Sequence, residues 1–147
     1  MHITADGITY STFYPATSDP VSSGTGWHLP NQNEWSSLYR GGNISGNPDF
    51  AYANIWSWYQ LNPADANEGV KGYEIKPDGA TTTLFLPASG NRYFTSALLY
   101  RSGVGGYYWS GSITGVNALG LLISSIGVNP TNVSSRGYGY ALRCAKN

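Results

Sequence analysis

The sequence predicts an α+β domain, built as a strand, two short helices and then several β-strands joined by long loops. Two observations carry this. Apolar residues recur at helical spacing in one segment near residue 35, directly behind a helix-start signal. Later, short runs of β-formers are separated by clusters of Gly, Pro, Asn, Asp and Ser.

Ile8–Tyr14 ("ITYSTFY") alternates weakly and reads as a first strand. Residues 15–25 are a Pro/Ser/Gly loop. Asn31 followed by Glu34 resembles a capping box, with Asn in place of Ser or Thr. Trp35, Leu38 and Tyr39 then form one helical face, and Gly41-Gly42 ends that helix. Phe50–Leu61 ("FAYANIWSWYQL") is assigned a second helix stopped before Pro63, although Trp56, Trp58 and Tyr59 share no helical stripe. Tyr73–Ile75 is a short strand, Pro77-Asp78-Gly79 a turn, and Thr81–Leu86 a strand broken by Pro87-Ala88-Ser89-Gly90. The remaining predicted strands are Tyr107–Ser112, Ala118–Ile123 and Tyr140–Cys144, the last expected to pair with Ile8–Tyr14 because domain termini often lie close together.

The 147 residues suit one domain. Aromatics reach 14% and charged residues only 11%, the opposite of a disordered composition. Net charge is zero, so no nucleic-acid footprint or polybasic membrane patch is visible in the total. All eight acids lie at or before Asp78; beyond it stand only Arg92, Arg101, Arg136, Arg143 and Lys146. Residues 102–135 hold no Asp, Glu, Lys, Arg or His. That stretch is either a set of packed strands and loops or a neutral contact surface. No apolar run approaches the ~20 residues of a membrane span, and the N-terminus lacks a signal-peptide pattern. The chain is then either cytoplasmic or cut from a longer exported or virion protein.

Catalytic chemistry finds little material. A nucleophile needs a nearby base, and the two His offer little: His2 is terminal and His28 sits among core-like residues in "GWHLP". Asp65 and Glu68 read as solvated loop acids, and a Ca²⁺ site in "NPADANE" is a remote option. The single Cys144 allows no intrachain disulfide and no cysteine-rich zinc site. Glu34 is explained by its cap, and Trp109 reads as core rather than as a sugar-stacking ring. The chain is therefore expected to be non-catalytic and free of cofactor and metal.

Three landmarks occur in order: "GWHLPNQNEW", "LFLPASGNRY" and "GGYYWSGS…YGYALRCAKN". Together they resemble the bacterial major-paralogous-domain (FISUMP) family, within a wider group of C-type-lectin-like folds that includes formylglycine-generating enzymes and the variable proteins of diversity-generating retroelements. The matching positions are Trp27, Leu29, Pro30, Glu34, Trp35 and Leu38; Leu86, Pro87, Ala88, Gly90 and Arg92; Tyr108, Trp109 and Ser110; and Gly139, Arg143 and Cys144. The resemblance implies a C-type-lectin-like fold with a helix pair and a twisted antiparallel sheet. The reactive cysteine pair of the enzymes is absent, as are the EPN, QPD and WND triplets of calcium-dependent lectins.

The retroelement resemblance implies that the C-terminal stretch is rewritten at template adenines while fixed residues such as Ala118, Leu121, Val128, Pro130 and Arg136 hold the fold. The candidate ligand-binding residues are Ile113, Thr114, Val116, Asn117, Leu119, Leu122, Ser124, Ser125, Ile126, Thr131, Asn132, Val133, Ser134, Ser135 and Tyr138. Tyr107 and Tyr138 are possible anchors. An ordinary Gly/Ser-rich β-segment is the plainer alternative. The expected function is a non-catalytic receptor-binding or adhesin module, the C-terminal domain of a longer extracellular, cell-surface or virion protein, with a surface in 113–137. Its partner would be a protein or glycan on a cell surface, with no nucleic acid and no membrane insertion. A fixed-specificity carbohydrate-binding or fimbrial-tip module is the alternative.

Overall fold

The computed structural model describes residues 4–5, 8–9, 26–40, 55–60, 70–76 and 84–146. Its elements run β1 (Thr4–Ala5), β2 (Ile8–Thr9), β3 (Trp27–His28), α1 (Gln32–Arg40), β4 (Ile55–Gln60), β5 (Lys71–Lys76), β6 (Leu84–Pro87), β7 (Asn91–Arg92), β8 (Leu99–Tyr100), β9 (Gly105–Thr114), β10 (Asn117–Ser124), β11 (Gly127–Ser134) and β12 (Ala145–Lys146).

The described residues are predominantly strand, with a single helix, in several small antiparallel sheets. This corrects the expected α+β, C-type-lectin-like architecture with two helices and one twisted sheet. The second helix is the main error. Residues 55–60 form β4, paired along its length with β5 from Ile55↔Lys76 to Gln60↔Lys71. The residues that broke the helical stripe alternate instead. Trp56 and Trp58 share one face and both meet Tyr73 edge-on, at 5.7 and 5.3 Å, while Tyr59 turns outward. Residues 50–54 and 61 lie outside the described residues, as do the Gly41-Gly42 helix stop, the Pro77-Asp78-Gly79 turn and the "NPADANE" loop.

The first helix forms where its cap places it. Asn31 Oδ1 accepts from the Glu34 backbone N–H at 3.0 Å, and Glu34 Oε2 accepts from the Asn31 N–H at 2.7 Å. Two otherwise orphaned donors are thereby satisfied reciprocally. Trp35 is buried, Leu38 packs against the core, and Tyr39 meets Trp56 edge-on at 5.7 Å.

Two three-stranded meanders enclose the core, β4-β5-β6 and β9-β10-β11. Trp35, Tyr73, Ile75, Leu86, Tyr108, Leu121 and Ile123 fill the space between them. Close approach depends on Gly106, which bridges Gly90 in parallel. A Cβ at Gly106 would stand 2.6 Å from the Pro87 carbonyl oxygen and 2.7 Å from the Ile123 side chain. The Tyr108 hydroxyl crosses the same junction and donates to the Pro87 carbonyl at 2.5 Å. Burial pushes that hydroxyl's pKa up to about 12.

Pairing of Ile8–Tyr14 with Tyr140–Cys144 does not occur among the described residues. β2 pairs with β1, and residues 10–14 lie outside. Ala141 instead wedges against β9, donating to the Tyr107 carbonyl and accepting from the Trp109 N–H. The chain end pairs β12 with β3, Ala145 opposite His28.

Candidate binding surface

The sheet β9-β10-β11 has two faces. Side chains alternate along a strand, so Tyr108 enters the core while Tyr107 and Trp109 point to the opposite side. Register places Gly120 between Trp109 and Asn132, and Leu122 opposite Tyr107. With no side chain at Gly120, Tyr140 lies over the gap, its ring 3.5 Å from where a Cβ would stand. It stacks on Trp109 at 4.2 Å and an interplanar angle of 24°. Its hydroxyl bonds the Ser134 hydroxyl, which also accepts from Asn132 Nδ2 at 3.0 Å. Burial raises the Tyr140 pKa above its ordinary value.

From this half-buried base a line of rings runs outward. Tyr140 meets Tyr138 at 5.9 Å, Tyr138 meets Phe94 at 5.2 Å and Tyr93 at 5.5 Å, and Tyr93 meets Tyr100 at 6.4 Å. Tyr93, Phe94 and Tyr100 are exposed, as are Leu98 and Leu99 beside them. The loop of 93–104 that carries them is held tightly. Arg92 and Gly139 exchange backbone hydrogen bonds, Tyr93 and Leu98 are joined by another, and the Arg92 guanidinium donates to the Ala97 carbonyl at 2.9 Å. Ala97 and Arg101 sit at φ +56° and +58°, the two left-handed non-glycine residues among those described. Such backbone persists only where its surroundings over-determine it.

The sequence-predicted residues do not converge on one spot. Ile113, Thr114, Val116 and Asn117 gather at the β9–β10 turn, where Val116 is 85% exposed. Ser134 and Ser135 lie at that end too, close to Arg136, whose guanidinium donates to the Gly115 carbonyl. Ser125 and Ile126 form the β10–β11 turn at the other end of the hairpins, with Ile126 94% exposed. The two turns are separated by the length of β10, roughly 25 Å at ~3.3 Å per residue. Leu122 and Asn132 lie on the outer face between them, while Thr131 and Val133 are exposed on the edge strand β11. Leu119 and Ser124, at 6% and 9% exposure, are buried and present almost nothing to a ligand. Tyr138 belongs to the aromatic line.

Among the fixed positions, Leu121 is fully buried and Val128 packs on the core. Trp109 is only partly buried; Tyr108, its neighbour, is the core residue. His28 and Glu34 pair at 2.7 Å. A hollow of about 310 Å³ opens between α1 and the chain end, lined by Trp35, Leu38, Leu84, Arg143 and Cys144 among others. Among the described residues no three His, Cys, Asp or Glu gather as a metal site, and no helix is long and apolar enough to cross a membrane.

Sequence reasoning missed Tyr93, Phe94, Leu98, Leu99, Tyr100 and Tyr140 as parts of a surface. A signal was present: "RYFTSALLY" is crowded with large apolar side chains yet fits neither helical nor strand period, which suits a rigid exposed loop. No family model, curated protein or solved structure matches the chain.

Proposed function

We propose that this chain is a non-catalytic ligand-binding domain, a receptor-binding or adhesin module of a cell surface or virion, whose contact residues are diversified in the manner of retroelement variable proteins. One observation supports it above the others. Most candidate residues lie where the fold places little demand on them. Val116, Ile126, Thr131 and Val133 are exposed, while Leu121, Ile123 and Val128 of the same hairpins hold the core. A surface of that kind tolerates side-chain exchange without loss of the fold.

Sequencing the DNA around the gene tests this. A reverse transcriptase and a near-copy of the segment encoding residues 108–147, differing at adenines, are expected. The varied codons should include Val116, Ile126, Thr131 and Val133 and spare Leu121 and Ile123. Absence of both elements retires diversification and leaves a binder of fixed specificity. Within that second reading a carbohydrate-binding or fimbrial-tip module is favoured by the outward ring of Tyr59 on β4. A glycan screen whose hit vanishes in Tyr59→Ala would establish it.

A further inference from the structure

Resting on the ligand-binding reading, we propose that the 93–104 segment is the anchoring patch for a protein partner, one that brings apolar side chains flanked by a carboxylate. Three observations carry this. The first is exposed apolar surface in one place. Tyr93, Phe94 and Tyr100 are exposed and joined by ring contacts with one another and with Tyr138, on a segment whose backbone is held by hydrogen bonds, and Leu98 and Leu99 of the same segment are exposed too. Contiguous exposed apolar surface marks interaction sites, and rigid aromatic side chains make good anchors because little entropy is lost on binding.

The second is ring geometry. Tyr138 meets Tyr93 and Phe94 at 83° and 65°, and Tyr100 meets Tyr93 at 65°. Rings so crossed offer ridges and notches, not a flat platform for a sugar ring. Such notches fit apolar side chains of a protein.

The third is charge. The patch carries Arg92, whose guanidinium holds the Ala97 carbonyl, and Arg101 at its rim, and residues 84–146 hold no acid. Arg101 follows Tyr100 directly, exposed and in the left-handed region. Glycine is the natural residue for that backbone. An arginine there, at the rim of an aromatic patch, matches a partner's carboxylate, which Arg can hold in bidentate fashion.

The test is panning a displayed random peptide library against the folded chain, with Arg101→Gly and Tyr100→Ser as comparison proteins. Arg101→Gly relieves the backbone conformation, so it should melt at the same or a higher temperature. Enriched peptides should combine Asp or Glu with aromatic or aliphatic residues. Their binding should weaken at least tenfold in both variants, and Arg101-dependent binding should weaken as salt rises. Neutral peptides, or binding indifferent to both substitutions, would overturn the inference and leave the ligand-binding reading in place. A glycan-array hit lost in Tyr100→Ser, with no peptide enriched, would overturn it in favour of a sugar. If neither library binds, the inference falls, and the ligand-binding reading is then decided by the reverse transcriptase and near-copy segment alone.

Discussion

Asn31 and Glu34 act at the level of single hydrogen bonds. Replacing Asn31 by Ala removes the acceptor for the Glu34 N–H and should cost about 1 kcal/mol, read as a lower urea midpoint. Tyr108→Phe removes one of the two donors to the part-buried Pro87 carbonyl, the Ser89 N–H remaining, and should cost about 0.5–1.5 kcal/mol. The same hydroxyl sets an alkaline limit. Its folded pKa is raised to about 12 from the usual 10. The unfolded chain therefore releases this proton first as pH rises. The contribution is intact below pH 10 and is lost between 10 and about 12. Urea melts from pH 9 to 12 should show stability falling, and falling less steeply in Tyr108→Phe. At this scale the sequence was informative for the helix cap, since Asn and Glu three apart act locally. It placed Trp109 in the core, where Tyr108 sits instead, because adjacent rings in "YYW" are told apart only by which face of β9 meets the core.

Elements are decided by what they pack against. Trp35→Ala, which empties the helix's place in the core, should destabilise by about 3–5 kcal/mol. Val116→Ser and Ile126→Ser, at the tips of the two hairpins, should change stability by no more than about 0.5 kcal/mol. Denaturant titrations of the three proteins check the contrast, and a Val116 variant as damaged as Trp35→Ala would break the division between scaffold and surface. Gly106→Ala, with no room between Pro87 and Ile123, should cost about 1–3 kcal/mol or prevent folding. β5, β6, β9 and β10 were legible from their β-formers and breakers. β4 was not, because four large apolar residues in "IWSWY" fit either period until a partner strand selects one. β11 was missed because "GVNPTNVS" is poor in strand formers and carries a Pro. It is held in place by the hairpin register with β10 rather than by its own propensity.

For the molecule as a whole, the charge asymmetry and the uncharged stretch 102–135 were plain from the sequence. Their arrangement into a sheet with a core face and an aromatic face was not, since it arises from contacts between distant segments. The pairing of β12 with β3 is the longest of these, bringing His28 opposite Ala145. Ala141 similarly completes β9 from the chain's far end. Such long-range closures make folding slow, in the millisecond-to-second range typical of β-rich topologies. They also set an order during synthesis. The ribosome adds about 5–20 residues per second, so for some seconds Trp109 lacks Tyr140 and the β3 edge lacks β12. The domain can reach its final state only after residue 146 has left the exit tunnel, and until then its exposed edges are a target for chaperones.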